Sequence, residues 1–231
     1  MRLSVIIPAI NEQAFISAAV QSAFDAGAAE VIVVDGGSSD DTIPEAKHCG
    51  AKVVSTSPGR ARQMNHGARL SCGTVVLFLH ADCRLPLGSA AAVERAIQAG
   101  SQWGFFRQRI DGTSLAYRLL ESGNRLRAQL LRRVFGDQAM WATREMFESV
   151  GGFPDEPLME DVIISRGLGR KFRPAEIKLP LPVNARRWKK YGVVRQTLRN
   201  WWIQIRFLMG AKPVDLSRSY RRHDAIRKDD Q

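Results

Sequence analysis

The 231-residue sequence has few cysteines, no long apolar run and no phosphate loop of the common kinds, and each absence narrows the field. Cys49, Cys72 and Cys83 form no C-x-x-C pair and leave one over, which argues against a disulfide framework or a structural zinc site and for a reducing compartment. No stretch approaches the roughly 20 apolar residues that span a bilayer. Met1-Arg2 leads straight into Leu3-Ser4-Val5-Ile6-Ile7, too short for the apolar core of a signal peptide. The expectation is a cytoplasmic protein, soluble or held peripherally at the inner face of the membrane. Neither G-x-x-x-x-G-K-S/T nor G-x-G-x-x-G follows a strand-like run, which weakens an ATPase and a dinucleotide-dependent dehydrogenase alike.

Positive charge, by contrast, is abundant. Lys+Arg 34 against Asp+Glu 23 gives a net charge of +11, which calls for an anionic partner: a nucleotide, a phospholipid surface or a nucleic acid. The 45% hydrophobic content suffices for the core of one large domain.

Apolar runs alternate with helical patterns through the first half. Leu3 to Ile7 reads as a strand stopped by Pro8, and Asn11 as the N-cap of a helix whose apolar face is Ile16, Ala19, Val20 and Ala23. Glu30 to Asp35 is a second strand, followed by Gly36-Gly37-Ser38-Ser39-Asp40-Asp41-Thr42, in which Ser39 or Asp40 is placed to cap a helix running to Cys49. Lys52 to Ser55, a helix over Arg60 to Leu70 and the strand Thr74 to Leu79 complete the pattern. Strand–helix alternation at this spacing predicts an α/β fold with a mostly parallel sheet. In such sheets ligands sit beyond the carboxyl ends of the strands. Glu12, Asp35 and Asp82 all follow strands, so they belong on one rim, and unpaired acids crowded together are costly without a cation. Asp82 is the prime candidate to hold Mg²⁺ or Mn²⁺, which take one or two carboxylates plus substrate phosphate oxygens.

The motifs Ser4–Glu12, Val33–Thr42 and His80-Ala81-Asp82, with Gly136-Asp137-Gln138 and Met159-Glu160-Asp161 further on, resemble those of the family 2 glycosyltransferases of the GT-A fold. Gly59–Asn65, Pro157–Asp161 and Ala185-Arg186-Arg187-Trp188 are closer still to the arsenosugar-biosynthesis-type subgroup. The resemblance implies a metal-dependent, inverting transfer of a sugar from a nucleotide-sugar donor, a UDP-sugar first, to an acceptor hydroxyl that in some relatives is lipid-linked. It implies that Pro8, Ala9 and Glu12 line the nucleoside pocket and that Asp35 meets the base, with Gly37, Arg60, Gln63, His80 and Ala81 around them. Asp82 would hold the metal, Asp161 act as general base beside Glu160, and Gly136, Asp137, Gln138, Arg186, Arg187 and Trp188 face the acceptor or the diphosphate. One departure stands out: the first acid of the family's D-x-D signature is His80 here, which brings no fixed negative charge.

The same resemblance and the composition divide the chain into a catalytic domain over 1–183, a basic amphipathic helical extension over 184–212 and a polar tail over 213–231. Trp103 to Ile110 reads as a strand and Ser114 to Val134 as a long helix whose Leu115, Leu119, Leu126, Leu130 and Leu131 pack in the core. In the extension Val194, Leu198, Trp201, Ile205 and Leu208 share one helix face and Arg195, Arg199 and Arg206 another. That apolar face is expected to pack on the domain or a second subunit, with a membrane interface as the competing reading. A sugar nucleotidyltransferase would need a Gly-rich loop with a basic residue after the first strand, which Pro8–Glu12 lacks; a nucleic-acid-binding protein would explain the charge but leave the acidic rim unexplained.

Overall fold

The computed structural model describes residues 1–186, 188 and 192–219. Its centre is a seven-stranded sheet in the order β3-β2-β1-β4-β6-β5-β7, built from β1 Leu3–Ala9, β2 Glu30–Asp35, β3 Lys52–Ser55, β4 Val75–Phe78, β5 Trp103–Ile110, β6 Trp141–Thr143 and β7 Ala175–Val183. β6 is antiparallel to both of its neighbours; all other pairings are parallel. The helices are α1 Ile16–Asp25, α2 Thr42–His48, α3 Arg60–Leu70, α4 Ser89–Gln98, α5 Leu115–Leu131, α6 Arg144–Glu148, α7 Glu160–Lys171, α8 Val193–Leu208 and α9 Pro213–Ser219. This is the expected α/β architecture.

Strand periodicity sorts the core into two layers. Leu3, Val5, Ile7, Val31 and Val33 point to one face, against Ile16, Val20 and Ala23 of α1 and Val93 of α4. Ile6, Ile32 and Val34 point to the other, against Ala61 and Met64 of α3, Met146 and Phe147 of α6 and Ile164 and Leu168 of α7. Both faces of the central strands are therefore covered, which is why they read as unbroken apolar runs.

Several expectations need correction. β1 does not stop at Pro8 but runs through it to Ala9. The carbonyl of Ala9 points to β2, where it accepts from Gly36 N, so Pro8 points to the β4 side, and pairing with β4 already ends at Ile6. The missing N–H therefore breaks no ladder bond. Asn11 is not an N-cap: it adopts a left-handed φ of 52°, and α1 begins after Phe15 without a side-chain cap. The α5 leucines are not core. Leu115 is 80% and Leu130 69% exposed, and the buried residues of that helix are Tyr117 and Ala128. Nor does the apolar face of α8 pack on the domain, since Val194, Leu198, Trp201, Ile205 and Leu208 are exposed while Gln196 and Ile203 face inward.

β7 gave no clear sequence signal because Pro180 and Pro182 interrupt it. Prolines are tolerated on edge strands, and β7 is an edge, with a register shift opposite Phe106/Arg107. Its far end matters for the site. Cys83 bridges Val183 and Arg84 N donates to Pro182 O, so the chain leaving β7 passes beside the stretch that follows β4.

Candidate functional site

The rim beyond β1, β2 and β4 is assembled by two loops that clasp each other. Asn11 N donates to Ser38 Oγ (2.9 Å), Ser39 N to Asn11 Oδ1 (2.9 Å), Glu12 N to Thr42 Oγ1 (2.8 Å) and Asp41 N to Gln13 Oε1 (3.0 Å). Asp35 organises this arrangement from within. It is 2% exposed and its carboxylate accepts from Gly37 N (2.8 Å), Ser38 N and the Ser38 hydroxyl. Gly37 reaches its N–H back to Asp35 with φ 102°, a conformation suited to glycine. Asp35 and Gly37, expected at the base, thus shape the loop, and neither lines a cavity of the site. Gln63 is likewise structural in part: 3% exposed, its Nε2 donates to Ala9 O (3.0 Å) and Val34 O (2.8 Å), tying α3 to the ends of β1 and β2.

Because the stretch after β4 and the exit from β7 run side by side, Arg186 reaches the rim. Its Nη2 lies 2.8 Å from Glu12 Oε1 and 3.1 Å from Asp82 Oδ2, its Nη1 is 3.1 Å from Glu12 Oε2, and its Cζ sits over the Phe15 ring, 4.8 Å from the centroid. Burial pushes the Arg186 guanidinium toward neutrality, but the Glu12 hydrogen bonds and the Asp82 charge outweigh it and hold the cation more firmly than usual. The cavity beneath, lined by Pro8, Ala9, Glu12, Gln63, Ala81 and Arg186 among others, measures about 40 Å³. With Arg186 in place, that is space for a few waters at about 10–15 Å³ each.

A larger cleft, about 150 Å³, opens on the other side of Arg60, His80 and Asp82, which line both spaces. Arg60 Nη1 lies 3.3 Å from His80 Nε2 and its Nε 3.3 Å from Glu160 Oε1. A guanidinium only donates, so His80 Nε2 accepts and the imidazole carries its proton on Nδ1, an assignment made from this bonding. Gly136 leaves room for this arrangement: a Cβ at that position would collide with His80 Nε2 and displace the imidazole. Glu160 is 1% exposed, and Met159, at a left-handed φ of 67°, turns the chain into α7.

Asp161 lines the cleft from the first turn of α7. Its Oδ2 accepts from Gly136 N (2.8 Å) and its Oδ1 from Val162 N (2.7 Å), leaving lone pairs on both oxygens. Burial and the neighbouring Glu160 charge push its carboxyl up to about 6, against the opposing pull of Arg60 and the two N–H groups. Asp137 lines the same cleft and accepts from Gln108 Nε2 (2.6 Å). Gln138 lies behind it, 1% exposed, its Oε1 accepting from Phe135 N (3.1 Å) and Arg127 Nη2 (3.3 Å). Trp188 closes the cleft and stands edge-on to Tyr117 at 6.2 Å. Arg187 lies outside the described residues.

The cleft also holds residues that sequence reasoning missed. Gln196, Asn200 and Gln204 line it from α8, and Asn184 from the end of β7. The polar stripe was visible as an i, i+4, i+8 repeat, but it pointed nowhere until the topology placed α8 over the cleft.

A divalent ion is implied by the family resemblance, and the donor set admits one on a condition. Among the described residues no three His, Cys, Asp or Glu side chains gather into a ready-made cage. A nucleotide-bound Mg²⁺ or Mn²⁺ needs only one or two carboxylates, the phosphates supplying further oxygens. Asp82 meets that need if Arg186 releases it.

An acidic strand-end rim thus leads into a cleft that gathers further carboxylates, Asp137, Glu160 and Asp161, at one edge of an α/β sheet. Residues 4–147, more than half of the chain, match the family model of glycosyl transferase family 2, and the chain belongs to that family. Over 92 residues it is 34% identical to glucosyl-3-phosphoglycerate synthase of Mycobacterium tuberculosis, a match covering 35% of this chain and 28% of the relative. The crystal structure of the M. tuberculosis synthase with Mg²⁺ and UDP aligns with a TM-score of 0.53 at 26% identity, covering 79% of this chain and 70% of that one. The same synthase with Mn²⁺ and UDP-glucose gives 0.54 at 25% identity and the same coverages. The structure of S. aureus TarS 1-349 aligns with a TM-score of 0.64 at 17% identity over 84% of this chain and 63% of that one, a likeness of fold alone.

Proposed function

We propose that this chain transfers a sugar from a UDP-sugar to an acceptor hydroxyl with inversion, Asp161 serving as general base. The observation that carries the reading is that Asp82 and Asp161 line one cleft together with Arg60 and His80. One carboxylate belongs to the donor rim and the other stands across the space where an acceptor would enter. The relatives' complexes with UDP, UDP-glucose, Mg²⁺ and Mn²⁺ support this donor class for them. The arsenosugar-type subgroup remains part of the proposal on its motifs alone, and the acceptor is an alcohol of unassigned identity.

In this reading the uridine enters beside Pro8, Ala9 and Glu12, displacing Arg186 from Glu12 and Asp82. Arg186 then turns its fork to the diphosphate, a planar match to phosphate oxygens. Asp82 is the residue that would hold the metal, which when bound supplies charge neutralisation to the leaving diphosphate. Asp161 accepts the acceptor's O–H proton as the oxygen attacks the anomeric carbon. The bond from that carbon to the phosphate oxygen breaks on the opposite face and its electron pair leaves with the UDP. A carboxyl that titrates near 6 is mostly ionised at neutral pH yet remains basic enough to take a proton.

Ligand that binds only the folded state raises the unfolding midpoint. UDP with Mn²⁺ should therefore raise the Tm of the purified chain by several degrees, and more than GDP with Mn²⁺ does. A chain indifferent to every nucleoside diphosphate, with or without the metal, is not a transferase of this kind.

A further inference from the structure

Two helices present apolar stripes to solvent that no part of the described chain covers. On α8, Val194, Leu198, Trp201, Trp202, Ile205 and Leu208 are all exposed. On α5, Leu115, Leu119, Leu126 and Leu130 recur at spacings of 4, 7 and 4, one face of a helix, and are exposed as well. The helices meet at their N-terminal ends: Tyr117 and Leu120 of α5 pack with Trp188 and with Val193 of α8 in a small cluster of their own. Exposed apolar side chains gathered in stripes of this kind mark an interaction site.

Charge decides what the surface fits. α8 carries Arg195, Arg199 and Arg206 and no acid, whereas the α5 arginines are engaged within the fold, Arg118 with Glu121, Arg125 with Glu176 and Arg127 with Gln138, so the charge of the surface rests on α8. Glu121 is itself engaged, accepting from Ile110 N and pairing with Arg118. A second copy of the chain docked through α8 would set the α8 arginines against their own kind, which is destabilising. A bilayer with anionic headgroups complements them: leucines enter the acyl boundary, arginines reach back to the phosphates, and the paired tryptophans suit the interfacial layer.

We infer that the exposed faces of α5 and α8 together form a docking surface for an anionic lipid bilayer. The inward side of α8 supplies Gln196, Asn200 and Gln204 to the cleft, so the helix that rests on lipid also walls the reaction space. Resting on the proposed function, this favours an amphiphilic alcohol, presented from the membrane, as acceptor. The docking itself is independent of that reading, because it is measured without donor or turnover.

Purified full-length chain is sedimented with vesicles of phosphatidylcholine, with and without phosphatidylglycerol, while its mass in solution is followed by light scattering. Binding should require phosphatidylglycerol and weaken steeply with salt. The double variant Trp201→Ala/Trp202→Ala should lose binding roughly tenfold or more, and Leu119→Gln/Leu126→Gln several-fold, since affinity scales with buried apolar area. Both change exposed positions, so an unchanged unfolding midpoint is expected and shows that the fold is intact. No binding to anionic vesicles, equal binding to neutral ones, or a stable dimer abolished by the same substitutions overturns the proposal. Full binding by the Leu119/Leu126 variant overturns the joint face and leaves α8 alone.

Discussion

The carboxylates of the proposed donor rim and those of the proposed acceptor side are treated in opposite ways. On the rim, Asp35 is wrapped in N–H and O–H donors, and Glu12 and Asp82 share one guanidinium. On the acceptor side, Glu160 and Asp161 are consecutive, and burial together with like charge pushes Asp161 up to about 6. Carboxylates wrapped in cations and donors are suited to binding; one buried beside its own sign becomes a place to put a proton. The predictions below either break this division of labour or sharpen it.

The largest effect should come from Asp161→Asn. If the two sides are separable, turnover falls by about three orders of magnitude or more, within reach of losing a general base and its positioning, while UDP binding measured by calorimetry is unchanged. Stability should move the other way. The folded carboxyl titrates above its ordinary 3.8, so ionising it weakens the fold: the cost is absent below about pH 4, grows toward about 6 and is fully present above. At about 1.4 kcal/mol per pH unit the gain on removing it is at most about 3 kcal/mol. The Asn amide also turns a donor toward Gly136 N or Val162 N at a cost that does not depend on pH, so the expected signature is a Tm difference that moves in the variant's favour as pH rises from 4 to 8. A variant that loses UDP binding along with turnover would erase the division.

Arg186→Ala comes next. Removing the guanidinium leaves Glu12 and Asp82 facing each other and strips the diphosphate of a partner, so donor affinity should fall tenfold to a hundredfold, about 1.5–3 kcal/mol for a charged hydrogen bond. Metal affinity in the absence of nucleotide should rise, because the Arg186 charge no longer competes for Asp82. Unchanged affinity for both places Arg186 outside the donor site. The smallest effect belongs to Asp35→Asn, which replaces one acceptor oxygen by a donor facing the loop's N–H groups and should cost about 1–3 kcal/mol of stability. A normal unfolding midpoint in that variant would mean the loop clasp does not depend on the buried carboxylate.

The two halves also differed in how much could be read from sequence. β1 to β4 and α1 to α3 announced themselves because buried parallel strands are apolar runs and their helices are amphipathic, so the order of elements and the acids after the strands were legible. The roles of those acids were not. That Asp35 turns inward and that Glu12 and Asp82 meet Arg186 depends on contacts 174 residues apart in sequence for the Glu12 pair, set by where β7 ends. β7 itself hid behind its prolines, and the α5 and α8 patterns gave helices correctly but not their orientation. Leu115 and Leu119 looked like core because amphipathic faces usually are, and periodicity alone cannot say which side of a helix finds a partner.

The acid limb of the pH profile bears most directly on Asp161 as base. Donor hydrolysis, with water as acceptor, allows kcat/KM to be followed without knowing the natural alcohol. The account predicts a plateau at neutral pH and a fall of about tenfold per unit below about 6, as Asp161 takes up its proton in the free enzyme. A rate that stays level down to pH 4.5, with the fold intact, would contradict it.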